Sequence, residues 1–101
     1  MANFVKVGRR GDIAEGAGKT VQVGGKQVAL FNAGGNFYAI DNVCLHRKGP
    51  LGEGDLEGTI VTCPWHGWQY DITTGCNVDE PALKVACFAV CLEGDDILVE
   101  A

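Results

Sequence analysis

Paired glycines cut this chain into short pieces, and that punctuation restricts it to a fold made of hairpins. Gly24-Gly25 and Gly34-Gly35 each separate two β-type segments. A two-residue turn with positive φ at both positions is the commonest link between antiparallel strands, and glycine meets that demand without strain. The flanking segments alternate or run apolar: Phe4-Val5-Lys6-Val7, Thr20-Val21-Gln22-Val23, Lys26 to Phe31 and Asn36 to Ile40. Further along come Thr59 to Thr62, then Trp68 to Ile72 turning at Thr74-Gly75. A long segment from Lys84 to Leu92 turns at Glu93-Gly94-Asp95-Asp96 into Ile97 to Glu100. About eight short strands at this spacing predict an all-β fold, an antiparallel sandwich or barrel.

With 101 residues, the chain has room for one core, so a single domain spanning 1–101 is expected. A hydrophobic fraction of 47% separates it from disordered sequences. Its net charge of −5 argues against a nucleic-acid partner, because neutralising phosphates takes a basic surface. No apolar run approaches the roughly 18 residues of a membrane span, and the N-terminal residues lack the basic and apolar regions of a secretory signal. A soluble, cytoplasmic monomer is the expectation. Five cysteines, an odd number, then point to metal binding or free thiols rather than a disulfide scaffold.

Residues 41–58 break the rhythm. Gly49-Pro50, Gly52, Gly54 and Gly58 make this stretch loop-like, and so long a loop in so small a domain is usually functional. Both histidines of the protein lie beside a cysteine, one pair here as Cys44-Leu45-His46 and the other as Cys63-Pro64-Trp65-His66. A single such pair could be structural, since cysteine is often buried. Two pairs, using every histidine, in loops that flank one hairpin, identify Cys44, His46, Cys63 and His66 as candidate metal ligands. Two cysteines and two histidines satisfy a tetrahedral zinc ion. However, zinc fingers commonly take both cysteines from one turn and both histidines from a helix, whereas here each loop supplies one thiolate and one imidazole. That distribution suits a dinuclear iron–sulfur cluster, with both cysteines on one iron and both histidines on the other.

Cys44-Leu45-His46 and Cys63-Pro64-Trp65-His66-Gly67-Trp68 resemble the two boxes of Rieske proteins, C-x-H and C-P-x-H-G. The similarity runs on through Gly49-Pro50-Leu51-Gly52, Leu56-Glu57-Gly58, Tyr70-Asp71, Thr74-Gly75 and Glu93-Gly94-Asp95. It is strongest to the small soluble Rieske ferredoxins of bacterial ring-hydroxylating dioxygenases. The resemblance implies an antiparallel β fold with a small cluster-binding subdomain, about residues 41–75, formed by the two loops. It also implies one 2Fe–2S cluster, and electron-transfer partners in place of a catalytic site: a flavin-containing NAD(P)H reductase and a terminal oxygenase. Rieske proteins of cytochrome bc complexes carry an extra disulfide between their loops, but this chain has Gly49 and Trp65 at those positions. Trp68 stands where they place a serine that donates to a cluster sulfur, while Tyr70 keeps their tyrosine. These departures imply the lower part of the Rieske potential range, which spans about −150 to +300 mV.

Other residues carry two readings each. Gly49, Gly52 and Gly67 either let backbone approach the cluster sulfurs or only form turns. Trp65 and Trp68 either shield the cluster or pack a small core. Pro50 and Pro64 stiffen the loops, and Pro81 resembles the family's proline segment that covers the cluster's third side. Cys76, Cys87 and Cys91 have no ligand role. Cys87 and Cys91 share a strand face about 13 Å apart at strand rise, too far for a disulfide, so free thiols are expected. The chain thus reads as a one-electron shuttle. The alternatives are a small Rieske subunit of a larger oxidoreductase such as nitrite reductase, and a zinc-bound interaction module.

Overall fold

The computed structural model describes residues 4–45, 49–65 and 67–100. Its strands are β1 (Phe4–Arg9), β2 (Gly18–Val23), β3 (Lys26–Ala33), β4 (Asn36–Asp41), β5 (Asp55–Glu57), β6 (Ile60–Thr62), β7 (Gln69–Asp71), β8 (Cys87–Glu93) and β9 (Asp96–Glu100). Short 3-10 helices cover Arg10–Asp12 and Leu51–Glu53. Six strands form one antiparallel sheet in the order β1-β9-β8-β4-β3-β2, and β5-β6-β7 form a second. The outermost strands of the larger sheet, β1 and β2, approach one another, so the sheet curls into a nearly closed barrel. The all-β antiparallel expectation holds.

The glycine turns form where the sequence places them. Val23 pairs with Lys26 across Gly24 (φ +53°) and Gly25 (φ +73°), and Ala33 pairs with Asn36 across Gly34 (φ +63°) and Gly35 (φ +91°). Positive φ at both central residues matches the twist of the flanking strands. β3 has an unbroken buried run, Val28 to Asn32. Its alternation is still readable in what each face meets. Ala29 and Phe31 pack into a core shared with Cys44, Leu51, Val61, Cys63, Tyr70 and Ile72, while Val28 and Leu30 pack into a second core with Ile97 and Val99. A strand covered on both faces is apolar throughout, and β3 is the wall between barrel and loop subdomain.

Two expectations are corrected. The segment expected as a strand from Lys84 joins the sheet only at Cys87. Before that, Lys84 bridges Cys76, the Val85 N–H donates to the Gly75 carbonyl at 2.9 Å, and the Val85 side chain is buried in the core around the loops. The 41–58 stretch is also not all loop, since Leu51–Glu53 forms a 3-10 turn with Leu51 fully buried, and Asp55–Glu57 pairs with β6.

Candidate metal centre

Each cysteine–histidine box sits in a loop closed by the same backbone device. The Cys44 N–H donates to the Gly49 carbonyl at 3.0 Å, and the Cys63 N–H donates to the Trp68 carbonyl at 2.7 Å, in both cases five residues further on. The second loop is the tip of the β6–β7 hairpin, beyond the Thr62–Gln69 pair. The first leaves the end of β4 and is anchored by Asn42, which is 2% exposed. The Asn42 carboxamide oxygen accepts from the Gly52 N–H at 2.7 Å and the Thr20 hydroxyl at 3.1 Å. Its backbone carbonyl accepts from the Leu51 N–H at 2.8 Å. One side chain thus ties β2 to both ends of the first loop.

This closure brings Cys44 and Cys63 together, buried in one core. Burial pushes the Cys63 thiol up, the Trp65 N–H donated to its Sγ at 3.4 Å opposes that, and the adjacent Cys44 thiol raises it further. The Tyr70 hydroxyl meets the Cys44 Sγ at 3.4 Å and accepts from the Leu45 N–H at 3.2 Å. Its own ionisation is pushed up to about 12, first by burial and then by Cys44, so it remains an O–H donor at neutral pH. His46 and His66, with Arg47 and Lys48, lie outside the described residues.

The three candidate glycines separate cleanly. A Cβ on Gly49 would lie 2.7 Å from the Cys63 Sγ and 3.1 Å from Trp65, so this backbone does approach a sulfur. A Cβ on Gly52 would instead meet Thr20 and Asn42, at 2.6 Å from the Thr20 hydroxyl, which makes Gly52 part of the anchor. Gly67 has φ +77° and open space around it, the mark of a turn. Of the tryptophans, Trp68 packs half-buried against the core, whereas Trp65 is 51% exposed, as is Leu45 of the other box loop at 49%. Two buried cysteines side by side, with the Trp65 N–H donating to one sulfur, the Tyr70 hydroxyl in contact with the other and no side chain filling the space at Gly49, form a cradle suited to a thiolate-ligated group.

Asn42 and Asn77 are structural anchors that the sequence reading passed over. Their signal was weak: each asparagine follows a strand or bridge, where its side chain commonly bonds nearby backbone. Asn77, 5% exposed, accepts at its Oδ1 from the N–H groups of Asp79 and Glu80, both at 2.9 Å, and so shapes the turn before the exposed Pro81. Cys76, Cys87 and Cys91 are free, as expected. Cys87 is exposed as a residue, but its sulfur rests over Gly75, 3.1 Å from where a Cβ would be. Burial there pushes its thiol up, with Lys84 opposing and Cys76 and Asp71 adding to the rise.

A nearly closed antiparallel barrel whose two hairpin-like loops bring one buried cysteine each to a shared cradle is the architecture of a cluster-binding β domain. The Rieske 2Fe-2S domain family matches residues 3–89, and the chain belongs to that family. Its cofactor is accordingly one Rieske-type 2Fe–2S cluster. Among relatives, it is 37% identical over 82 residues to the ferredoxin component of the naphthalene 1,2-dioxygenase/salicylate 5-hydroxylase systems of Ralstonia sp., covering 81% of this chain and 79% of that one. Among solved structures, the ferredoxin of carbazole 1,9a-dioxygenase from Nocardioides aromaticivorans superposes with a TM-score of 0.91 at 27% identity over 98% of each chain. A chain in a complex of reduced oxygenase and oxidised ferredoxin of carbazole 1,9a-dioxygenase gives 0.87 at 29% identity, covering 96% of this chain and 92% of that one.

Proposed function

We propose that the whole chain, 1–101, works as one Rieske ferredoxin domain. In this reading Cys44 and Cys63 hold one iron, His46 and His66 hold the other, and residues 41–75 form the cluster-binding region. The protein is a monomeric, cytoplasmic one-electron carrier that accepts electrons from a flavin-containing NAD(P)H reductase and delivers them to a terminal oxygenase, without catalysing a reaction itself. The observation that carries the reading is the convergence of Cys44 and Cys63 from the two box loops, both buried and each with its own polar partner at the sulfur, the Tyr70 hydroxyl for Cys44 and the Trp65 N–H for Cys63. Among the described residues no helix is long and apolar enough to cross a membrane, which is compatible with it.

When bound, the cluster supplies a reversible one-electron couple. The chain's residues do the rest. Tyr70 O–H and Trp65 N–H place positive dipoles against the cysteine sulfurs, the core around Leu51, Val61 and Ile72 keeps water from them, and exposed Leu45 and Trp65 leave an apolar approach for a partner.

Replacing any one of Cys44, His46, Cys63 or His66 by alanine is expected to abolish the Rieske EPR signal and visible spectrum, and to loosen the loops that the group holds. A wild-type Rieske signal retained in His66→Ala overturns the ligand assignment, and a colourless purified protein containing zinc overturns the cofactor. Reduction by a flavin reductase, followed by reoxidation on adding a terminal oxygenase, tests the shuttle. Elution of the native protein only within a large complex would make it a fixed oxidoreductase subunit instead.

A further inference from the structure

Between the second box loop and the turn that follows β7 lies a cleft of about 200 Å3, lined by Trp68, Asn77, Asp79, Glu80 and Leu83. That is below the roughly 300–1,000 Å3 of clefts that take drug-sized molecules, so it suits the head of one side chain. One wall, Trp68, is the residue whose carbonyl closes the second box loop on the Cys63 N–H. The other wall is held by its own backbone. The Asn77 N–H donates to the Leu83 carbonyl and the Leu83 N–H to the Glu80 carbonyl, both at 2.8 Å, and the Val78 N–H donates to the Gln69 carbonyl at 3.0 Å. The Asn77 carboxamide oxygen takes the N–H groups of Asp79 and Glu80. A site already in its bound shape loses little freedom on binding.

The charge of this cleft has one sign. Asp79 and Glu80 are exposed, and the ion pair found among the described residues, Lys6 with Asp96, involves neither. Lys84, the nearest cation along the chain, pairs with Cys76, and strand alternation turns it to the opposite side from Leu83. Val78 and Leu83, 45% and 37% exposed, add apolar surface at the cleft. An indole beside two carboxylates is a receptor for a planar cation. Guanidinium stacks on aromatic faces, bonds carboxylates in its own plane and is more weakly hydrated than an ammonium. We propose that the cleft receives an arginine side chain of the terminal oxygenase and so fixes the orientation in which the second box loop meets its electron acceptor. The proposal rests on the carrier role proposed above. The oxygenase is also the protein with which a carbazole 1,9a-dioxygenase ferredoxin of the same fold forms its solved complex.

The test is stopped-flow reoxidation of reduced holoprotein by the terminal oxygenase of its own host, followed against oxygenase concentration at low ionic strength, with EPR confirming an intact cluster. Asp79→Asn with Glu80→Gln removes both charges and keeps the side-chain shapes. Glu93→Gln with Asp95→Asn makes the same change in net charge at the β8–β9 turn. The cleft pair is expected to raise the apparent dissociation constant about tenfold or more, in the range of a charge pair desolvated by docking, and the distant pair less than about twofold. Trp68→Phe should bind like wild type and Trp68→Leu several-fold more weakly. Methylguanidinium chloride should inhibit wild-type transfer more than sodium chloride at equal ionic strength, and should lose that excess in the cleft pair. Equal weakening by the two pairs would mean a general charge effect, and unchanged binding in the cleft pair an idle cleft; either overturns the proposal. So does inhibition by methylguanidinium no greater than by sodium chloride, or a loss confined to reduction by the flavin reductase. Should the Trp68 variants fail to load cluster, the two charge pairs and the competitor still decide the matter. If wild type itself passes no electrons to that oxygenase, the carrier role is what fails.

Discussion

Gly49 and Gly67 sit in the two box loops and have opposite reasons for being glycine. At Gly67 the constraint is the backbone: φ of +77° costs an ordinary residue about 1–2 kcal/mol, but a methyl group there meets open space. At Gly49 the constraint is the neighbour, because the methyl would press on a sulfur 2.7 Å away. A sulfur bound to iron cannot retreat without stretching that bond, whereas exposed Trp65 can move. Gly49→Ala is therefore expected to lower the fraction of protein purified with cluster several-fold, read from the ratio of visible to ultraviolet absorbance. Gly67→Ala should load normally and lose only stability. Equal loading in wild type and both variants would show that the Gly49 backbone stands further from the sulfur than this geometry requires. The sequence marked both glycines as ambiguous for a physical reason: a turn and a close approach ask for the same residue, and only the neighbours across space tell them apart.

At the scale of elements, the hairpins were legible because their turns are local. Gly24-Gly25 and Gly34-Gly35 need nothing but their own φ angles to declare themselves. The short strand β5 was not legible. Leu56 is its one apolar residue, between Asp55 and Glu57 and among glycines, and its pairing with Val61 depends on a strand that comes later. The start of β8 was misjudged for a related reason: Lys84 to Ala86 carry strand-like residues, but Val85 is needed in the core around the loops. The anchoring of the first loop also escaped sequence reasoning, since Asn42 has three partners from three different elements, at Thr20, Gln27 and the Leu51-Gly52 turn. This anchor should be measurable. Asn42→Ala leaves the buried Gly52 N–H without its acceptor, which costs about 2–3 kcal/mol once the lost bond is included. Urea unfolding of the holoprotein should show a loss of that order, while Thr20→Val, which removes only the hydroxyl from the network, should cost less. A loss below about 0.5 kcal/mol in Asn42→Ala, within the range of ordinary surface changes, would mean the cluster and not the asparagine holds the loop.

For the whole molecule, the balance of charge and apolar surface determines how it meets partners. Acidic residues outnumber basic ones 13 to 8, while Arg47 and Lys48 follow the first histidine in the box, outside the described residues. Leu45 and Trp65, on the two box loops, leave about half of their surface to solvent. Charge and apolar contact act on different rate constants. Long-range fields orient the molecule during encounter and raise association, an effect screened over about 10 Å at 0.1 M salt. Close apolar packing lengthens the life of the complex and is nearly indifferent to salt. If the box loops are the docking face and their two basic residues the steering end of an otherwise acidic molecule, the two contributions should separate by mutation. Arg47→Glu with Lys48→Glu should slow electron transfer to a terminal oxygenase about tenfold or more at low ionic strength, within the range of electrostatic steering, and the difference from wild type should shrink as salt is added. Leu45→Ser with Trp65→Ser should instead weaken the complex at every salt concentration, seen as faster dissociation with little change in association. Stopped-flow reoxidation across a salt series measures both. A charge-reversed protein that transfers electrons as fast as wild type at low salt would remove Arg47 and Lys48 from the encounter, and a serine pair with unaltered dissociation would move the docking face away from the box loops.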